Sequence, residues 1–171
     1  SDAIDQSDAV FIAVGTPSRR GDGSADLTYV VEATKEIAKL AKKYVLFITK
    51  STVPVGTNRE LLKLISSTNP KLDFDIASNP EFLREGSAIE DFQKPDRVIV
   101  GVESSRAKNI ISEIYKPLCL RDFPIMYTSL ESAEIIKYAS NAFLATKISF
   151  VNEIAALSEK AGGDIKDISK A

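Results

Sequence analysis

Short apolar runs alternate with amphipathic stretches as far as about residue 128, and that alternation predicts the fold. DAVFIAV, residues 8–14, is a brief continuous apolar run of the kind that forms a strand buried on both faces. It stops at GTP, residues 15–17, and a polar Gly-containing loop follows, RRGDGSAD, residues 19–26. Asp26 is placed to cap a helix over residues 27–43, whose apolar stripe is Val30, Val31, Ala33, Ile37, Ala38, Leu40 and Ala41. YVLFITK, residues 44–50, predicts a second buried strand. STVPVGT turns the chain there, and a helix carries Leu61, Leu62, Leu64 and Ile65 inward. DFDIAS, residues 73–78, reads as a third strand that runs directly into NPEFLREG, and RVIVGV, residues 97–102, as a fourth. A helix over residues 106–115 and a short strand over residues 124–127 complete the alternation.

Strand, helix and strand joined by short loops imply an α/β fold with a parallel sheet and right-handed crossovers. Loops after the strand C-termini line the ligand crevice in such sheets. The rule gathers VGTP, KSTVPVGT and NPEFLREG, scattered in sequence, at one edge. From about Leu130 the texture changes to one long helical pattern, without proline, that Gly162-Gly163 would stop. At 1.5 Å per residue such a helix is roughly 45 Å long. Its stretch over residues 135–156 is apolar on most sides, which predicts broad burial between domains or between subunits. The chain thus divides into a sheet domain, 1–128, and the start of a helical domain, 129–171.

Composition narrows the class. A hydrophobic fraction of 44% with 27% charged residues is that of a soluble globular chain, and the net charge of −2 gives no basic surface for nucleic acid. No apolar run reaches the roughly 18 to 20 residues of a membrane span. The polar, acidic N-terminal SDAIDQSD is the reverse of a signal peptide, and the single Cys119 fits a reducing compartment, so a cytoplasmic protein is expected. Cys119 itself reads as a small buried hydrophobe. No metal site is expected.

The chain has no histidine, so acid/base work near neutral pH falls to Glu, Asp, Lys or water. NPEFLREG, residues 79–86, sets Glu81 and Glu85 four residues apart around Phe82 and Leu83. One carboxylate could move a proton while the other orients a ligand; a helix N-terminus that favours acids is the alternative. Asn79 starts the turn in either case. Lys137 and Asn141 are also four residues apart, on one face of an otherwise apolar helix, with Asn152 three turns further on. They could present an ammonium and an amide to an oxyanion, or be a snorkelling lysine beside a hydrogen-bonded amide. Thr16, Ser51 and Thr52 could add hydroxyl donors to phosphate- or ribose-binding turns, although Pro, Gly and Thr in a turn are also ordinary turn chemistry.

Taken together, KSTVPVGT, NPEFLREGSAIEDFQKPDRVIVG and EIIKYASNAFLATKISFVNEI resemble the nucleotide-sugar dehydrogenases, the UDP-glucose/GDP-mannose dehydrogenase family, in its UDP-glucose branch. The resemblance implies the second half of a Rossmann-like NAD domain followed by a long central helix, and a homodimer through that helix. It implies NAD as cofactor, UDP-glucose as substrate, and oxidation to the sugar carboxylate through a thioester on an enzyme cysteine, in the service of polysaccharide synthesis. GDP-mannose or UDP-N-acetylmannosamine is the alternative substrate, and a non-catalytic truncated module that binds another chain is the alternative class. On the matching positions, Glu81 resembles the base of thioester hydrolysis, Lys137 and Asn141 the oxyanion pair, and Thr52 the residue that holds the catalytic water. Val14, Thr16, Pro17, Ser51, Thr52 and Glu85 resemble the cofactor-contacting set. Phe82, Leu83, Arg84 and Glu85, with Glu81, Lys137 and Asn141, resemble the sugar-phosphate lining. The family's Gly-rich dinucleotide turn and its nucleophilic cysteine match no segment here, and Cys119 is not that cysteine. The resemblance therefore implies an internal piece of the enzyme that is inactive alone.

Overall fold

The computed structural model describes residues 2–83, 86–118 and 124–171, in two compact units, 1–137 and 138–171. The first unit opens with a single-turn helix, α1 (Asp2–Asp5), and the first strand, β1 (Ala9–Ile12). Next come α2 (Thr28–Leu40), β2 (Val45–Thr49), α3 (Thr57–Thr68) and β3 (Phe74–Ser78). They are followed by α4 (Ala88–Gln93), β4 (Val98–Val102), α5 (Ser105–Tyr115) and β5 (Ile125–Thr128). The long helix α6 (Leu130–Ala161) begins in this unit and continues into the second, where α7 (Ile165–Lys170) follows.

The five strands form one sheet in the order β1-β2-β3-β4-β5. β2 is buried along its whole length, which the run VLFIT requires. Its side chains alternate between two cores, because successive residues point to opposite faces. Val45 and Phe47 pack with Val30, Ile37, Leu61 and Ile65 of α2 and α3, while Leu46 and Ile48 pack with Ala107, Ile111 and Tyr115 of α5.

The wholly parallel sheet expected from the alternation is corrected by one pairing. β1, β2 and β3 are parallel and β4 and β5 are parallel, but β4 runs antiparallel to β3, with Ser78 opposite Gly101. The reason lies in the β3–β4 connection. Its helix α4 has six residues, about 9 Å at the α-helical rise, too short to carry the chain back along a strand. β4 therefore starts at the edge where β3 ended. Asp26 is also corrected as the cap of α2: Leu27 holds that position, and the Asp26 carboxylate accepts from the Thr28 N–H at 3.0 Å, one step earlier.

α6 enters the first unit against β4. A Cβ built on Gly101 would lie 2.6 Å from the Ser129 carbonyl and 2.8 Å from the Leu130 Cα, so only glycine admits the helix at this depth. Leu130 and Ala133 are fully buried. In the second unit every residue from 141 to 153 is exposed, and Phe143, Ile148 and Val151 are 66%, 55% and 44% accessible. Within one chain, the broad burial expected of this stretch is not realised. Among the described residues no helix is long and apolar enough to cross a membrane.

Candidate active site

The C-terminal ends of β1, β2 and β3 lie side by side, and hydrogen bonds tie together the three loops that leave them. Ser51 Oγ donates to the Val14 carbonyl at 2.6 Å, and Thr16 Oγ1 donates to the Thr52 carbonyl at 2.9 Å. The Asn79 N–H donates to the Thr49 carbonyl at 2.9 Å. The sequence expectation that VGTP, KSTVPVGT and the start of NPEFLREG meet at one edge describes this arrangement. Two of the hydroxyls read as ligand donors, Thr16 and Ser51, here donate to backbone carbonyls, and Pro17 is exposed.

Glu81 follows at once. Residues 79–83 have no regular structure and the next helix starts only at Ala88, so Glu81 is not at a helix N-terminus. Its Oε1 lies 3.5 Å from Lys137 Nζ, and its Oε2 is buried without a hydrogen-bond partner. Lys137 is 7% exposed and stands 5.3 Å from the centre of the Phe82 ring, with Arg97 5.4 Å away from the same ring. Thus Lys137 is held inside the first unit against a carboxylate and an aromatic face, and does not snorkel. Leu83 is exposed, and Arg84, Glu85 and Cys119 lie outside the described residues. Asn141 and Asn152 belong to the second unit, on the exposed stretch of α6.

Three side chains, Lys50, Tyr115 and Glu134, escaped the sequence reading, and a fourth, Asn79, was read only as the start of a turn. Lys50 directly follows β2, with Nζ 3.4 Å from Asn79 Oδ1 and 3.5 Å from the Tyr115 hydroxyl. Burial brings its pKa down to about 8; the Glu81 carboxylate opposes the shift and the Lys137 cation adds to it. Asn79 is buried, accepts from the Tyr115 hydroxyl at 2.5 Å and donates to the Ile99 carbonyl at 2.9 Å, which fixes the residue two before Glu81. Burial raises the Tyr115 phenol to about 12, against the hydrogen bond to Asn79. Glu134, one turn before Lys137, is 2% exposed and reaches the N-terminus of α3. Its Oε2 accepts from the Gly56 N–H at 2.6 Å, and its Oε1 accepts from the Asn58 N–H at 2.9 Å and from Asn58 Nδ2 at 2.8 Å. The signal in the sequence was a lysine closing an otherwise apolar strand and an acid three residues before Lys137 on a buried face. Neither pattern names its partner.

A cavity of about 450 Å³ opens beside Glu81, lined also by Lys50, Asn79, Tyr115, Phe92 and Arg97. Cation, carboxylate and cavity lie at the C-terminal edge of a parallel three-strand run, where α/β folds place their ligand crevice. Residues 1–119 match the NAD binding domain of the UDP-glucose/GDP-mannose dehydrogenase family and residues 131–171 its central domain; the chain belongs to that family. It is 54% identical over 170 residues to the UDP-glucose 6-dehydrogenase of Rhizobium meliloti (strain 1021), covering 98% of this chain and 39% of that protein. Among solved structures, it resembles a UDP-glucose dehydrogenase from the hyperthermophilic archaeon Pyrobaculum islandicum, with a TM-score of 0.90 and 43% identity over 98% of this chain and 39% of that one. A GDP-mannose dehydrogenase from Pseudomonas aeruginosa also gives a TM-score of 0.90, with 35% identity over 99% of this chain and 39% of that one. The chain spans about two fifths of the length of these relatives.

Proposed function

We propose that the intact protein is an NAD-dependent dehydrogenase that oxidises UDP-glucose to UDP-glucuronate, with this chain supplying part of its NAD domain and the proton-handling side of its active site. The observation that carries the reading is the Lys137–Glu81 pair, 3.5 Å apart, with the second carboxylate oxygen buried and unpartnered. A buried acceptor without a donor is costly unless it has a use, and deprotonating a water is such a use.

Two NAD molecules, bound in turn, would each take one hydride from the carbon that is oxidised. The loops after β1 and β2 fit part of such a cofactor. A Cβ on Gly15 would meet no atom within 4 Å, which leaves room for a ligand against the backbone. Val14 and Thr16 flank Gly15 in sequence, hydrogen bonds tie Ser51 and Thr52 to them, and the hydroxyls of Thr16 and Ser51 retain acceptor capacity while they donate to carbonyls.

The chain's own groups have distinct roles in this reading. The Lys137 ammonium stabilises negative charge as it develops on the substrate oxygen, and Asn141, four residues on in sequence, adds an amide donor to the same task. Thr52 holds the attacking water. Glu81 takes a proton from that water as its oxygen bonds the acyl carbon of a thioester, carried on a cysteine other than Cys119; the thiolate leaves and the sugar carboxylate forms. Phe82 and Leu83, with Arg84 and Glu85, are assigned to sugar-phosphate binding in this reading. The 54% identity to a UDP-glucose 6-dehydrogenase supports UDP-glucose over GDP-mannose.

The test uses the intact protein and its Glu81→Gln variant. The variant is expected to accumulate an enzyme-bound acyl species and to lose roughly 100-fold in steady turnover, the scale of a lost general base. A wild-type steady-state rate would reject the assignment. Turnover of GDP-mannose in preference to UDP-glucose would move the substrate to the other branch of the family.

A further inference from the structure

The reaction proposed above releases protons, and the hydrolytic one goes to a carboxylate that must lose it again before the next turnover. Glu81 Oε2 is buried, Oε1 lies 3.5 Å from Lys137 Nζ, and the side chain as a whole is 31% exposed. Within this chain, which has no histidine, the groups that could take the proton on are lysines, carboxylates and water. Glu81 does line the cavity of about 450 Å³, and Lys50 lines the same cavity. That space is polar enough and large enough for a short file of water, given roughly 30 Å³ of liquid volume per molecule.

Lys50 is placed for a different task from Lys137. Its two nearest acceptors are long, at 3.4 and 3.5 Å, and the Tyr115 hydroxyl already donates to the same Asn79 oxygen at 2.5 Å. An ammonium so poorly supplied with acceptors loses its proton easily. The charged groups around it come from every neighbouring element: Glu81 after β3, Lys137 on α6, Glu90 and Asp91 on α4, and Lys94, Asp96 and Arg97 before β4, with the Tyr115 phenol from α5. The face of the Phe92 ring lies 5.9 Å from Nζ.

We propose that Lys50 is the proton carrier that returns Glu81 to its carboxylate form, passing the proton through the shared cavity to solvent. The inference rests on the reading of Glu81 as general base. The step balances without any redox change. The attacking water gives one proton to Glu81 as its oxygen bonds the acyl carbon. Protonated Glu81 then passes that proton, through cavity water, to the neutral Lys50 amine, and the ammonium so formed releases it to buffer. Burial lowers the Lys50 pKa to about 8, which makes the neutral amine more accessible than in a solvated lysine.

The experiment compares the intact protein with Lys50→Met, Lys50→Arg and Glu81→Gln, in weakly buffered solution with and without ethylamine. Lys50→Met is expected to lose about tenfold or more in steady turnover, the scale of a lost proton-transfer group, while a single-turnover measurement of the first oxidation keeps its rate. Ethylamine should restore turnover in proportion to its free-base fraction, because it can enter the cavity and accept the proton. Lys50→Arg keeps the positive charge but cannot become neutral, so it should show the same defect. A purely structural role would give neither rescue by amine nor a defect in the arginine variant. Wild-type turnover in either Lys50 variant, or a loss in Lys50→Met that ethylamine does not repair, overturns the proposal. Should Lys50→Met fail to fold, the arginine variant decides alone. A normal rate for Glu81→Gln overturns the general-base reading and the carrier with it; a normal rate for the Lys50 variants beside a slow Glu81→Gln overturns the carrier only.

Discussion

Lys137 and Lys50 are two lysines near one carboxylate, and their surroundings give them different chemistry. Lys137 has an ion-pair partner at 3.5 Å and an aromatic face at 5.3 Å, which hold a cation in place. Replacing it by Ala in the intact protein is expected to lower kcat far more than it raises KM, because the charge is needed chiefly in the transition state. A change in KM with kcat intact would return Lys137 to a packing role. Lys50, in contrast, is held below its unfolded pKa by burial. Between about pH 8 and the unfolded lysine value near 10.5, the unfolded chain binds more protons than the folded one, so this group's contribution to stability rises with pH across that window. Lys50→Met removes the effect. The stability of the variant relative to the wild type should therefore be greatest below pH 8 and shrink as pH climbs, which urea titrations at pH 7 and pH 10 would measure. An unchanged difference between the two would show that Lys50 is not desolvated. At this scale the sequence named Glu81 and Lys137 but not that they touch, because 56 residues separate them and only the sheet brings the loop to the helix.

Element geometry decides how α6 meets the sheet. The N-terminus of α3 has no cap from its own sequence: Gly56 takes that position with φ +91°, where a side chain would be strained. Glu134 supplies the acceptors from α6, taking hydrogen bonds from the backbone N–H groups of Gly56 and Asn58 at the positive end of the α3 dipole and from the Asn58 side-chain amide. Arg59, on α3, adds ion pairs to Glu131 and Glu103. Glu134→Ala would leave buried donors without partners, at about 1–3 kcal/mol for each unsatisfied group. The variant is expected to lose several kcal/mol by chemical denaturation; a loss under about 0.5 kcal/mol, the range of ordinary surface changes, would show the cap to be dispensable. Gly101→Ala tests the other contact of α6. Its Cβ would lie 2.6 Å from a backbone carbonyl, which cannot yield as a flexible side chain can, so a cost of about 1–3 kcal/mol is expected from overpacking. Existence and type of the strands and long helices were legible in periodicity, down to a terminus near Ala161 for α6. The direction of β4 was not, because a run such as VIVGV carries no sign of which way its neighbour points. The cap of α3 was not legible either, since its acceptor comes from 78 residues away.

For the whole molecule, the second unit sets the question of assembly. Phe143, Leu144, Ile148 and Phe150 are each more than half exposed along one stretch of α6. A run of that kind is unusual on a lone soluble chain and marks a contact surface. Two copies meeting through it about a two-fold axis would cover it with one self-complementary patch. Light scattering on the intact protein is expected to give at least a dimer, and Phe143→Asp with Ile148→Asp should shift it toward monomer. A wild-type monomer at micromolar concentration would refute that assembly.

The sequence by itself determined which segments are strand and helix, that the sheet is buried on both faces, and which family the motifs belong to. These follow from local periodicity, from the length of apolar runs and from ordered motifs of many residues, all of which survive without knowledge of contacts. Tertiary structure alone decided that β4 turns back, that Glu81 rests against Lys137, that Glu134 caps a distant helix, and that Lys50 and Glu81 open on one cavity. Each of these depends on groups far apart in the chain, and a side chain's burial, partner and proton affinity are set by what the fold packs around it.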